Sequence, residues 1–230
     1  MNRILPVVAA IAVAGAGAWY LTAGQTTPGS TAVNPLVGAA NAQTTDADAN
    51  ADIDTSSIED MSQGNPDAEV TVIEYASFTC PHCAAFHAEN YDKLKADYID
   101  TDKINFVYRE VFFDRYGLWA SMVARCGGPE KFFGISDLIY DGQSEWVRAG
   151  EPAAIVDELR KIGRLAGLEN DTLEACLQDG DKARTLVAWY EENAKQDGID
   201  STPSFIIDGK KYNNMPYDEM KSLIDAALND

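Results

Sequence analysis

The 230-residue chain carries 37 Asp and Glu against 18 Lys and Arg, a net charge of −19 at pH 7. Such a surface repels phosphate backbones and anionic headgroups, so charge argues against nucleic acid as a partner; otherwise the acidity serves solubility. The first sixty or so residues do not read as folded domain, and the remaining ~170 are enough for one core, or for one domain with a large insertion.

Met1-Asn2-Arg3 is a short basic start, Ile4 to Leu21 is uncharged and mostly apolar, and the next basic residue is Lys93. Basic flanks stay on the cytoplasmic side, so everything downstream is expected to be exported. Two readings of residues 1–24 stay open. The apolar run exceeds the ~7–15 residues of a signal-peptide core and approaches the ~20 that span a bilayer, with Trp19-Tyr20 placed for the interface. An N-terminal membrane anchor fits that length. A cleaved signal peptide fits the Ala- and Gly-rich composition, and Ala40-Asn41-Ala42 has the small-x-small form of a cleavage site. Residues 25–62 hold few large apolar side chains and are expected to form a flexible acidic tether, with the folded domain at 63–230.

In the folded part, Val70 to Ser77 is rich in β-branched and aromatic residues and predicts a buried strand. Pro81 to Asp97 predicts a helix, with Phe86, Tyr91, Leu94 and Tyr98 on one face, and Ile104 to Phe113 predicts a second strand. Strand, helix, strand in that order favours a parallel βαβ unit. From Tyr116 to Gln196 the pattern is helical, with candidates at Leu118–Arg125, Lys131–Tyr140, Ala153–Leu165, Leu173–Leu177 and Ala183–Asn193. Ser204–Ile207, Asp208-Gly209 and Lys210–Tyr212 then spell a hairpin, and Tyr217–Leu228 a closing helix. The class is α/β.

The chemistry concentrates at Cys80-Pro81-His82-Cys83, where a strand hands over to a helix. Pro81 suits the first helical position, which makes Cys80 the N-cap. A sulfur there faces the unpaired N–H groups of the first turn, which favour thiolate over thiol. A protonated His82 adds a cation beside it. Cys83, one turn in, is expected to be more buried. The mechanism that follows starts from a Cys80–Cys83 disulfide attacked at Cys80 by a substrate thiolate. A mixed disulfide forms, and a second substrate thiolate expels Cys80, a good leaving group. A structural disulfide and a zinc half-site are the competing readings. Zinc wants a second ligand pair at similar spacing, which is missing; His87, four residues after Cys83, makes a Cys/His cluster conceivable but by itself reads as a helix-surface histidine.

The run Ile73-Glu74-Tyr75-Ala76-Ser77-Phe78-Thr79-Cys80-Pro81-His82-Cys83 resembles the active-site segment of the DsbA family of thioredoxin-fold oxidases. Ser201-Thr202-Pro203-Ser204-Phe205 is similar to that family's cis-proline loop, and the helical block to its inserted helical domain. The resemblance covers residues 64–230. It implies a thioredoxin fold with an inserted all-helical subdomain at about 115–197. It also implies a cis bond at Pro203, and at Glu74 the family's acidic residue beneath the buried cysteine. A carboxylate in an apolar strand is costly without a use, and proton exchange with Cys83 through water is one; a solvent-facing edge-strand Glu is the other reading. Thr202 departs from the valine usual in DsbA and is similar to the isomerase branch and to some other DsbA-like proteins, which leaves oxidase against isomerase or reductase open.

Cys126 and Cys176 are isolated and far apart within the helical block. An even cysteine count in an exported chain suggests disulfides, so they are expected to staple two helices; a regulatory redox pair is the alternative. Closing about fifty residues contributes on the order of 4 kcal/mol, and often less. The expected protein is a monomeric oxidase in the periplasm of a Gram-negative bacterium, free or anchored to the inner membrane. It would donate the Cys80–Cys83 disulfide to reduced, unfolded exported proteins, need no other cofactor and no metal, and be reoxidised by a DsbB-type membrane partner. Isomerase or reductase is the nearest alternative, and a periplasmic chaperone or metal-handling module on the same fold the other class.

Overall fold

The computed structural model describes residues 53–229. Five strands, β1 (Met61–Gly64), β2 (Val70–Ala76), β3 (Ile104–Glu110), β4 (Ser204–Ile207) and β5 (Lys210–Asn213), form one sheet in the order β1-β3-β2-β4-β5. β2 and β3 are parallel, and the other pairings are antiparallel. The segment V-T-V-I-E-Y-A is central, and Val72, Tyr75 and Ala76 are fully buried. β-branched and aromatic side chains pack well on such a two-sided surface.

The crossover from β2 to β3 is helix α1, which begins as Pro81–Phe86, passes through a π-helical turn at His87–Tyr91, resumes at Asp92–Leu94 and ends in a second π turn, Lys95–Ile99. The π turns have a sequence correlate. Phe86, Tyr91, Leu94 and Tyr98 are all buried, yet the step from Phe86 to Tyr91 is five residues. An i→i+5 turn keeps both rings on the core face where a regular helix would rotate one away.

Between β3 and β4 lie six helices: α2 (Arg115–Cys126), α3 (Pro129–Asp141), α4 (Gln143–Trp146), α5 (Pro152–Leu165), α6 (Asn170–Gln178) and α7 (Gly180–Gln196). Helix α8 (Tyr217–Ala227) closes the chain against α1 and β4. The fold is the expected one, a thioredoxin-type sheet with an all-helical insertion. The insertion is fastened to the sheet by a buried ion pair: Arg125 of α2 donates to both carboxylate oxygens of Glu110 on β3, at 2.5 and 2.6 Å, and Ser121 adds a third bond at 2.8 Å. Asp208 and Gly209 both have positive φ, 48° and 73°, the geometry of the two-residue hairpin that their identities predict.

Two boundaries differ from expectation. The tether does not run to residue 62: Ile58 is buried, Asp60 makes two hydrogen bonds of 2.9 Å to Arg109, and Met61 begins an edge strand. One apolar residue at the head of a polar four-residue strand leaves no alternation to read. Gly64 ends β1 at φ +83°, where a Cβ would lie 2.4 Å from the Ile104 carbonyl oxygen. β3 stops at Glu110, and Val111 to Phe113 leave the ladder; Val111 N–H still reaches the Ala76 carbonyl at 2.8 Å. The leader or anchor expected in residues 1–24 lies outside the described residues, among which no helix is long and apolar enough to cross a membrane.

Candidate active site

Cys80 takes an extended conformation, φ −83° and ψ 119°, directly before Pro81 at the first turn of α1. Its carbonyl accepts the Ala84 N–H at 3.2 Å, so it is the helix N-cap. Both thiols are free; Cys80 is 8% exposed and Cys83 not at all. Pro81 and His82 lie exposed on the rim. Along that rim runs a groove of about 530 Å³ lined by His82, Phe86, Glu89, Lys93, Met215 and Tyr217 among others.

The Thr202–Pro203 peptide bond is cis, and the Cys80 Sγ reaches the Thr202 carbonyl oxygen at 3.6 Å. A loop more than 120 residues away in sequence is thus set against the first sulfur. The Thr202 hydroxyl is buried with no hydrogen-bond partner. The two sulfurs differ sharply in acidity. The Cys83 thiol, the Thr202 side chain and the first-turn N–H groups of Cys83 and His82 stabilise a Cys80 thiolate against the opposing cost of burial, and bring Cys80 down from 9.0 to about 5. Cys83 moves the other way, raised mainly by burial and further by Cys80 and the negative charge of Glu74.

Glu74 is fully buried on the central strand, which removes the solvent-facing reading. Its Oε2 contacts His87 Nε2 at 3.2 Å, and its Oε1 has no partner. His87 therefore corrects an expectation: it is not a surface histidine but a core one, 8% exposed, stacked between Tyr91 at 4.7 Å and Tyr140 at 4.2 Å. Its position four residues after Cys83 puts both on the inner face of α1. Among the described residues no group of three or more His, Cys, Asp or Glu side chains is placed to hold a metal ion.

Two positioning contacts escaped sequence reasoning. Gln143, at the start of α4, donates through Nε2 to the Phe78 carbonyl at 2.8 Å and the Cys80 carbonyl at 2.9 Å. Asp114 caps α2 through the Tyr116 and Gly117 N–H groups, at 2.8 and 2.9 Å, and accepts the Thr79 hydroxyl at 2.9 Å. The helical insertion thus holds both ends of the segment that carries Cys80. No local pattern marks Gln143; Asp114 before a helix does read as an N-cap. Cys126 and Cys176 lie apart from all this, bonded to each other between α2 and α6 with Cα atoms 5.8 Å apart.

A thioredoxin family model, Thioredoxin_4, matches residues 56–226. The chain belongs to the thioredoxin family. Within that family its fold is of the DsbA type. A Rickettsia bellii protein named as a protein-disulfide oxidoreductase is 35% identical over 170 residues, covering 74% of this chain. The chain spans 64% of that relative's length. Among solved structures, Wolbachia pipientis alpha-DsbA1 is 27% identical with a TM-score of 0.68, covering 74% of this chain and 92% of that one. A protein-disulfide isomerase from Novosphingobium aromaticivorans is 26% identical with a TM-score of 0.67, covering 75% and 100%.

Proposed function

We propose that this chain is an exported thiol–disulfide oxidoreductase working as an oxidase, with Cys80 as the exchanging sulfur and Cys83 as the resolving one. The observation that carries the proposal is the divergence of two adjacent sulfurs, one brought down to about 5 and the other pushed up by burial. At pH 7 the reduced protein holds Cys80 as thiolate, the better leaving group, so the disulfide is disposed to be given away. Electrons move through the Cys80–Cys83 pair itself, and no other cofactor enters the cycle. Pro81 and His82 form the exposed turn that meets the substrate, and Thr202 with Pro203 presents backbone to an extended substrate segment. Substrates are reduced, unfolded exported polypeptides, and the reoxidant is a membrane protein of the DsbB type. We place its work in the periplasm of a Gram-negative bacterium, a reading supported by the likeness to Wolbachia pipientis alpha-DsbA1.

Isomerase or reductase is the second reading, favoured by Thr202 before the proline and by the name of the Novosphingobium relative. The reduction potential of the Cys80–Cys83 pair separates the two. An oxidase should equilibrate with glutathione near about −120 mV, and a value near about −270 mV, as in thioredoxin, would overturn the oxidase direction. Recovery of RNase activity from reduced but not from scrambled substrate is the matching functional outcome.

A further inference from the structure

We propose that His87, acting through Glu74, is a positioning residue that supplies and removes the proton exchanged with the Cys83 sulfur. The inference rests on the oxidoreductase reading above and adds a residue to it.

The chemistry makes a demand that the first sulfur does not. When a substrate thiolate attacks Cys80, a sulfur–sulfur bond forms between substrate and Cys80. The Cys80–Cys83 bond breaks, and its electron pair leaves on Cys83. That thiolate is created at a site with no solvent exposure, under the negative charge of Glu74. An unpaired buried anion is costly, so a proton must arrive. In the reverse step, ring closure, Cys83 must lose a proton before it can attack the Cys80 mixed disulfide and expel the bound thiol.

Glu74 cannot trade that proton with water directly, because it too is fully buried. Its contact with His87 offers the connection. Nε2 sits 3.2 Å from Oε2, while Oε1 of Glu74 and Nδ1 of His87 are buried with no partner. The pair thus has open hydrogen-bonding capacity at both ends, an arrangement rare in a core unless it is used. His87 retains a small exposed edge, and Tyr140, which stacks on its ring, lines with Ala84 and Ala88 a groove of about 310 Å³. The path runs from Cys83 through Glu74 and His87 to that groove. On ring opening, the imidazolium yields a proton to Glu74 and Glu74 yields one to Cys83, and solvent reprotonates the imidazole. On closure each transfer reverses.

The groups facing His87 suit the task. Tyr91 from α1, Tyr140 from α3 and Tyr108 from β3 surround it with rings held neutral, each phenol raised by burial. Glu74 on β2 is the carboxylate in contact, and Asp137 on α3 feels the imidazolium charge.

The test is ring closure in the Cys80–glutathione mixed disulfide, followed by stopped flow as glutathione is released between pH 5 and pH 9. His87→Phe keeps the stack on Tyr91 and Tyr140 without a titrating nitrogen, and His87→Gln keeps a donor to Glu74 without a transferable proton. Closure in either variant should be slower on the order of 10-fold or more at pH 6 to 7, and the gap should close towards pH 9, where hydroxide takes the proton. Iodoacetamide capture of Cys80 in the reduced variants should follow the wild-type pH curve. If His87→Phe does not fold, His87→Gln reads the same profile. A wild-type profile in a folded variant overturns the relay, and so does slowing by one factor at every pH, which marks a packing role. A wild type that never closes the adduct refutes the oxidoreductase reading itself.

Discussion

The two cysteine pairs carry the same element into opposite environments. Cys80 and Cys83 are separated by two residues at a strand–helix junction, beside helix N–H groups and the Thr202 loop. Cys126 and Cys176 are 50 residues apart and join two helices of the insertion. Bonding the first pair closes a loop too small to restrict the unfolded chain much, so polar groups around the sulfurs decide its preference. Bonding the second removes far more freedom from the unfolded chain, and stabilisation is what it can contribute. Sulfur chemistry here is set by loop length and by the donors nearby.

The largest effect that tests this contrast is on activity. Cys80→Ser should reduce oxidation of a dithiol peptide to the uncatalysed background, while the double variant Cys126→Ala with Cys176→Ala should retain its rate within about twofold. A large rate loss in the double variant would break the contrast and give the second pair a redox role.

Stability should respond the opposite way. The same double variant should lose up to about 4 kcal/mol of unfolding free energy in urea, the chain-entropy value for a 50-residue loop. No loss at all would mean the staple constrains nothing that the helices do not already hold.

Next, opening Cys80–Cys83 should stabilise rather than destabilise. A sulfur depressed to about 5 favours the folded reduced form, by about 2 kcal/mol at pH 7 after allowance for screening near the surface. The gain is complete above the unfolded thiol value of about 8.5 and is lost as pH falls through about 5. Cys83 adds little at pH 7, because a raised thiol is protonated there in both the folded and unfolded chains. Urea melts of both redox forms at pH 7 and pH 4, with Cys126–Cys176 intact, should show the reduced form ahead at pH 7 and level at pH 4. An oxidised form ahead at pH 7 would shift the reading towards reductase or isomerase.

The smallest effect belongs to Gln143→Ala. It removes two hydrogen bonds, but the Cys80 carbonyl keeps the backbone N–H of Ala84 as a donor, which limits the loss. A cost of about 1 kcal/mol is expected, together with faster Cys80 alkylation as the segment loosens. An unchanged alkylation rate would show that α4 does not brace the site.

What the sequence by itself determined is local. The β-branched run Val70–Ala76, the proline after Cys80 and the Asp208-Gly209 turn each set backbone geometry through their own sterics, so strand, N-cap and hairpin were legible without neighbours. The five-residue step from Phe86 to Tyr91 also foreshadows the π turn, for a reader who counts it. What the tertiary structure decided depends on partners distant in the chain. Gln143 meets Phe78 and Cys80 across 65 and 63 residues, and Thr202 meets Cys80 across 122. The contact between His87 and Glu74 spans only 13 residues but crosses from helix to strand. β1 pairs with β3 across a stretch that holds all of β2 and α1, and its four residues have too little apolar pattern to announce themselves. A single histidine has no periodicity that says whether it faces solvent or a carboxylate. Only the packing of α1 against β2 and α3 fixes that, because burial is a property of what covers a side chain rather than of the side chain itself.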